Sequence, residues 1–376
     1  MAAWGSASGG VFVAPEPCKQ LIVAGTRDLG AQFVNNPHRM VGQDGAFSMQ
    51  CGRESFWFFG DTLIGSRTPG ESLWYPGGQP VGPDDMSGKH GIGRMLNNTG
   101  LLLSDTDGRD GLLHFRYICD AQGGLRALIP LERDEHPDRH RIWCLHGICL
   151  AHKVVLYFVK VEMLPEGPLP VNFRVVGSGM AVGDTTRWEF QRVHRNGTYI
   201  LWGEREPHFA AGVLRMSNDP WIYLYGSKQD PAGRQGAYLA RVQANQIDRS
   251  DSYEYLSSTT PDWSPVITNA VPVFHDMPNE LSVSFNAHLG AYLAVHSLGL
   301  TGDVVARTAP TPWGPWSEPT VLWHVHPDRI TPVPYPPLIY AGKEHPALSR
   351  DGGKVLYITY IEFEEYFPHL VEITLA

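Results

Sequence analysis

The sequence predicts an all-β protein, a five-bladed β-propeller with antiparallel four-stranded blades, on three observations. A hairpin-like unit recurs five times along the chain. The composition is rich in turn residues and aromatics, and stretches of helical periodicity are scarce. A length of 376 residues would ordinarily suggest two domains, but closed β architectures exceed that expectation as single units, and no linker divides the chain. Residues 1–376 are therefore read as one domain.

The repeated unit is an apolar strand, a polar turn and a strand with paired aromatics. Its copies are AFSMQ-CGRE-SFWFFGD at 46–61, ICLA-HK-VVLYFVKV at 148–161, VLRM-SNDP-WIYLYGS at 213–227, SVSF-NAHLG-AYLAVHS at 282–297, and HPAL-SRDGGK-VLYITYI at 345–361. Tyr157, Tyr223, Tyr292 and Tyr357 mark a spacing of roughly 65 to 70 residues, which suits one four-stranded blade with its loops. Third strands follow as GAYLARV, DVVARTA and HLVEITL. The first copy stands further from the second, and the excess falls in a long insert from Ser66 to Met95 that is placed to act as a lid. A lone hairpin buries one face only, so neighbouring units must pack on one another. The N-terminal KQLIVAG is expected to pair beside HLVEITLA and close the ring.

The 40 glycines and 30 prolines supply tight turns, while 11 tryptophans, 15 tyrosines and 15 phenylalanines supply an aromatic interior or groove. A formal charge of −9 without a basic stripe argues against gripping nucleic acid, where counterions must be displaced from phosphates. The first fifteen residues lack a positive segment followed by an apolar core, and no later stretch is apolar enough to span a membrane. The expectation is a cytoplasmic protein with no membrane partner. Five cysteines at Cys18, Cys51, Cys119, Cys144 and Cys149 lack zinc spacing and read as buried thiols.

In a propeller the starts of the innermost strands converge on a central funnel, so chemistry is sought there. Counting outward from the Cys51–Glu54 turn on both strands pairs Asp44 with Asp61. Two carboxylates on one rim suit glycoside hydrolysis, one protonated to assist the leaving oxygen and one ionised to attack or to activate water. The competing reading is that each aspartate, beside a glycine, makes an Asx-type turn. Glu280, before SVSF, and Glu344–His345, at the start of the fifth hairpin, are expected to face the same funnel and bind substrate. Asp28 in GTRDLG is a third acid candidate. Glu204 in WGERE, Asn98 in NNTG and His146 beside the second inner strand are further substrate-binding candidates. The histidines show no zinc-enzyme spacing, no nucleophile elbow is present, and no metal or other cofactor is expected.

Read in order, FWFFGDT at 56–62, NNTGLLLSDTDGRDGL at 97–112, GSGMAVGD at 177–184, WIYLYGS with GAYLARV and SYEYL at 221–256, NELSVSFNAHLGAYL at 279–293 and ARTAPTPWGPWSEP at 306–319 resemble one family over nearly the whole chain. It is the family of domain of unknown function 4185, which includes endo-D-arabinanases of glycoside hydrolase family 183. The resemblance implies a five-bladed propeller, a carbohydrate substrate with furanosidic, arabinan-like linkages, and two catalytic aspartates. One ends the first hairpin in Gly-Asp-Thr and maps to Asp61. The other belongs to a Gly-Thr-Asp-Leu-Gly segment. Spacing maps it to Asp44, within GQDGA at 42–46, while the closer look-alike surrounds Asp28. Members acting on wall polymers are exported, which would make this protein secreted. Two alternatives stand beside hydrolysis. One is an intracellular lyase, isomerase or cyclase acting on a small metabolite, with Trp57 and Trp202 shaping its pocket. The other is a glycan-binding propeller without catalysis.

Overall fold

In the computed structural model, residues 19–78, 92–164, 172–326, 333 and 335–376 are described. Cys18, the first fifteen residues, part of the Ser66–Met95 insert and most of the Pro327–Pro337 run lie outside them. Among the described residues there is no α-helix, only strands and short 3-10 turns.

Five sheets contain four or more strands, and every pairing within them is antiparallel. The first runs Phe47–Cys51, Glu54–Phe59, Thr99–Leu103, Phe115–Tyr117. The second starts with His140–Leu150, Lys153–Met163 and Phe173–Asp184, the third with His208–Arg215, Trp221–Gln229 and Gln235–Gln243. The fourth runs Ser282–Asn286, Ala291–Ser297, Asp303–Ala309, Thr320–His324. The fifth runs Ile339–Glu344, Val355–Glu362, Pro368–Leu375, and its outer strand, Val23–Ala31, comes from the opposite end of the chain. A smaller sheet joins Met40–Gln43, Thr62–Gly65 and Ile92–Leu96.

The sequence explains the hairpins. In the first, Cys51 pairs with Glu54 and Phe47 with Phe58, and Gly52 takes φ +68° in the two-residue turn, a left-handed backbone that glycine adopts without steric cost. In Glu54–Phe59 successive side chains point to opposite faces, and both faces are apolar. Phe56 and Phe58 enter a core shared with the second sheet, while Trp57 and Phe59 enter one shared with Tyr357 and Leu370 of the fifth. Sheets three and four share a core around Tyr225, Leu239 and Leu281, and sheets four and five one around Leu293, Leu356 and Ile358. The first core also takes in Phe209 and Leu224 of sheet three, so packing passes from sheet one through to five and back to one.

Two expectations change. The fifth hairpin starts at Ile339–Glu344, not at residue 345; residues 345–354 form turns that include two 3-10 segments. Trp57 and Trp202 are buried in cores instead of lining a pocket: Trp57 stacks on His345 at 4.1 Å, and Trp202 Nε1 donates to Tyr255 Oη at 3.0 Å. The pairing of the N-terminal strand beside Pro368–Leu375 is observed, beginning at Val23. Cys51, Cys119, Cys144 and Cys149 are free thiols, of which Cys144 is buried and the other three are half-buried, and among the described residues no helix is long and apolar enough to cross a membrane.

Candidate active site

The inner strands of the five large sheets converge. Their N-terminal ends, or residues just before them, line one cavity of about 290 Å³, and their C-terminal ends line another of about 610 Å³. Asp44 and Asp61 lie in the first.

Both aspartates sit where two chain segments leave the small sheet and enter the first large one. Gln43 still pairs with Thr62, and Phe47 already pairs with Phe58. Between these pairs Gly45 (φ +83°) and Ala46 (φ +56°) turn the backbone, so both aspartates project from a break in pairing. Asp44 N donates to Asp61 O at 3.2 Å, and Gly60 N donates to Asp44 O at 3.0 Å. A β-carbon on Gly60 would stand 2.4 Å from Asp44 Oδ1. Glycine there leaves the space the carboxyl occupies.

The two carboxyls have unlike partners. Asp44 Oδ2 accepts from Tyr340 Oη at 3.1 Å and Tyr366 Oη at 3.0 Å. Burial pushes its pKa from an ordinary 3.8 up to about 8, helped by the charges of Asp61 and Glu280 and opposed by the two tyrosines. Asp61 Oδ1 accepts from Trp143 Nε1 at 3.0 Å, and its Oδ2 lies 4.0 Å from Arg141 Nε, whose side chain is 2% exposed. Burial raises Asp61 as well, while Arg141 and Trp143 restrain it to about 6. Of the two, Asp44 holds its proton to higher pH.

A third carboxylate, Glu280, lines the same cavity and receives Lys343 Nζ at 2.8 Å. Lys343 is 1% exposed; it also donates to the carbonyls of Gly45 and Ala341 and lies over the Phe47 ring. Lys343 also lines the far cavity, while its Nζ bonds Gly45 and Glu280 of the first, so the residue stands between the two.

The remaining candidates lie elsewhere. Asp28 is on the outermost strand of the fifth sheet, opposite Val371, and its Oδ1 accepts from Gly30 N at 2.8 Å in an Asx-type turn, so it does not partner Asp61. Asn98 is fully buried and clamps the backbone, donating to the Ile129 and Ile142 carbonyls and accepting from Ile129 N. Glu204 is exposed, 3.6 Å from Arg174. Glu344 ends its strand and lines the far cavity, accepting from Ser284 and Ser349. His345 is sealed between Ser48 and Thr359, each at 2.7 Å. His146 lines the far cavity, its pKa lowered by burial to about 4. The described residues hold one group spaced for a metal ion, Glu362, Glu365 and His369, none of them an expected site residue.

Sequence reasoning missed Arg141, Trp143, Tyr340, Tyr366 and Lys343. The signal for the first two was available: the apolar run IWCL after Arg141 reads as strand and lies in the second inner strand, His140–Leu150, ahead of the apparent hairpin at 148. Tyr340 and Lys343 were hidden by placing the fifth hairpin too late.

A crystal structure of a candidate hydrolase from Bacteroides ovatus ATCC 8483 is similar at a TM-score of 0.63 and 15% identity, covering 91% of this chain and 87% of that one. A GH43 beta-xylosidase/alpha-arabinofuranosidase from a compost microbial metagenome, solved with xylotriose, scores 0.48 at 12% identity over 95% of both chains. The alpha-L-arabinofuranosidase of Podospora anserina, solved with cellotriose, scores 0.40 at 12% identity over 93% of this chain and 95% of that one. No curated protein matches the sequence. The family described as "Domain of unknown function (DUF4185)" matches over residues 19–372, and the chain belongs to it.

Proposed function

We propose that the chain is a single-domain, five-bladed propeller glycoside hydrolase in which Asp44 and Asp61 cleave furanosidic, arabinan-like linkages. The five large sheets are its blades, and the cores that pass from sheet one to five and back are its closure. The observation that carries the chemistry is the unequal setting of the two buried aspartates. Asp44 is held by two phenols between two other carboxylates, and Asp61 by an indole N–H with a guanidinium nearby. Two like groups driven to different protonation states make an acid and a base. The furanosidic sugar rests on the resemblance of the Gly60-Asp61-Thr62 segment and its neighbours.

In the reaction, Asp44 gives its proton to the glycosidic oxygen as the C1–O bond breaks. Asp61 faces the electron-poor C1, bonding to it or taking a proton from the water that does. The oxygen of water ends on C1 and the alcohol leaves with the proton of Asp44, so the balance requires no cofactor.

The test is incubation with arabinofuranosyl oligosaccharides and chromatography of the products, with kcat/KM measured against pH. New reducing ends are expected, with a bell rising through about 6 and falling through about 8. Binding without cleavage, or a profile flat from about pH 5 to 9, overturns the mechanism.

A further inference from the structure

The cavity around the acid pair has two unlike sides. Toward the third and fourth sheets it carries polar groups: Ser227, whose Oγ donates to Asn279 at 3.0 Å; Glu280; and His208, whose buried Nε2 has no partner among the described residues. Burial lowers the His208 pKa, leaving the ring neutral. The opposite side is aromatic. Trp143 meets Phe173 edge to face at 4.8 Å beside Asp61, while Trp74 stacks on Phe363 at 5.4 Å and meets Tyr366 at 5.0 Å beside Asp44.

The polar atoms of these rings are engaged within the protein. Trp143 N–H serves Asp61, Trp74 N–H serves the Phe363 carbonyl at 3.0 Å, and the Tyr366 hydroxyl serves Asp44. Apart from Arg141 and Asn172, what this side offers a ligand is carbon. A second sugar placed there would bury hydroxyls against it, and each unpaired hydroxyl is costly, whereas an apolar alcohol brings none beyond the reacting oxygen. Leu300, in the turn after Ala291–Ser297 of the fourth sheet, also lines the cavity and is 63% exposed. The volume of about 290 Å³ is at the small end for ligand sites, which run from roughly 300 to 1,000 Å³.

Resting on the hydrolase reading but replacing its arabinan-like leaving sugar, we infer that the bond cleaved fastest joins a furanose to an apolar alcohol. The sugar lies against the Ser227–Asn279–His208–Glu280 side, and a hydrocarbon or aryl aglycone lies between the Trp143–Phe173 and Trp74–Phe363 pairs. Water and the glycoside give the free sugar and the free alcohol, by the same exchange at C1.

The test uses ethyl, butyl and hexyl arabinofuranosides, whose leaving alcohols are similarly acidic, so differences in rate report contact with the chain. Each added methylene is expected to raise kcat/KM about three- to fourfold. A series flat from ethyl to hexyl, or an arabinofuranosyl disaccharide cleaved faster than the hexyl compound, overturns the inference and leaves hydrolysis standing. Binding is measured separately by calorimetry with the S-linked ethyl and hexyl analogues. The hexyl analogue is expected to bind on the order of 100-fold tighter, with a more negative heat-capacity change. Should no furanoside turn over while that difference persists, the hydrolase reading fails and the apolar subsite stands; equal binding overturns the subsite. In Phe173→Ser the advantage of hexyl over ethyl is expected to shrink about three- to tenfold.

Discussion

The two ends of the inner strands both bury a carboxyl against its chemical preference, with different results. At one end Asp44 is pushed to about 8 and Asp61 to about 6; at the other Glu344 is pushed to about 7. Burial is what raises Glu344, and two serine hydroxyls oppose it. Its two oxygens accept from Ser284 and Ser349, and its backbone N–H donates to Ser282. The aspartates share a break in strand pairing, and each has its own donors. Burial alone therefore produces a perturbed acid; two burials with unlike partners produce a division of labour.

The sharpest way to break this comparison is to remove one carboxylate from each end. Asp61→Asn keeps the volume and the contact with Trp143 but removes the ionisable group, and kcat is expected to fall about 10²- to 10⁴-fold with the circular dichroism unchanged. Glu344→Gln retains an acceptor for Ser284, and kcat is expected to stay within about twofold. An inert Glu344→Gln that remains folded would move the chemistry to the far cavity.

Gly60→Ala tests the acid end without touching an acid. Its β-carbon would stand 2.4 Å from Asp44 Oδ1, so the carboxyl is expected to shift and its bonds to Tyr340 and Tyr366 with it. A displacement of about 1 Å is expected to cost roughly 100-fold in kcat. Wild-type kinetics in a well-folded Gly60→Ala would remove Asp44 from the mechanism.

Lys343 links the two cavities. Lys343→Met leaves Glu280 without its ammonium and Gly45 without its anchor, and should destabilise the protein by about 3 kcal/mol and lower kcat about tenfold. The readout that a purely structural role would not move is the basic limb of the pH profile. With a nearby positive charge gone, ionising Asp44 becomes harder, so the limb shifts to higher pH.

Much of this arrangement was legible in the sequence because hairpins obey local rules. The Cys51–Glu54 turn fixes register by simple counting, and counting brings Asp44 opposite Asp61. The GTRDLG segment misleads because local similarity carries no information about which strand of a sheet it joins; Asp28 lands on the outer edge of the fifth. Glu344 and His345 were misplaced for a related reason. The turn after Glu344 contains Pro346 and Leu348, which read as a strand start, while the true strand contains Gly342 and a left-handed Ala341. Tyr366 and Trp74 reach the acids from a turn and from an insert, so only tertiary packing brings them there.

The smallest expected effect separates the two ends by stability. A carboxyl whose folded pKa lies above its unfolded value contributes stability that is fully present below the unfolded pKa and lost as pH rises through the folded one. For Asp44 that window runs from 3.8 to about 8, and for Glu344 from 4.5 to about 7. Asparagine at 44 and glutamine at 344 do not ionise and escape the loss. Both Asp44→Asn and Glu344→Gln should therefore melt higher relative to wild type at pH 8 than at pH 4, by about 2 °C for each kcal/mol recovered. The gain should be larger at Asp44, where the shift is wider and the neighbouring carboxylates add to burial. A larger gain for Glu344→Gln would mean that the two phenols and the neighbouring backbone stabilise an ionised Asp44. The proton for the leaving group would then have to come from elsewhere in the cavity.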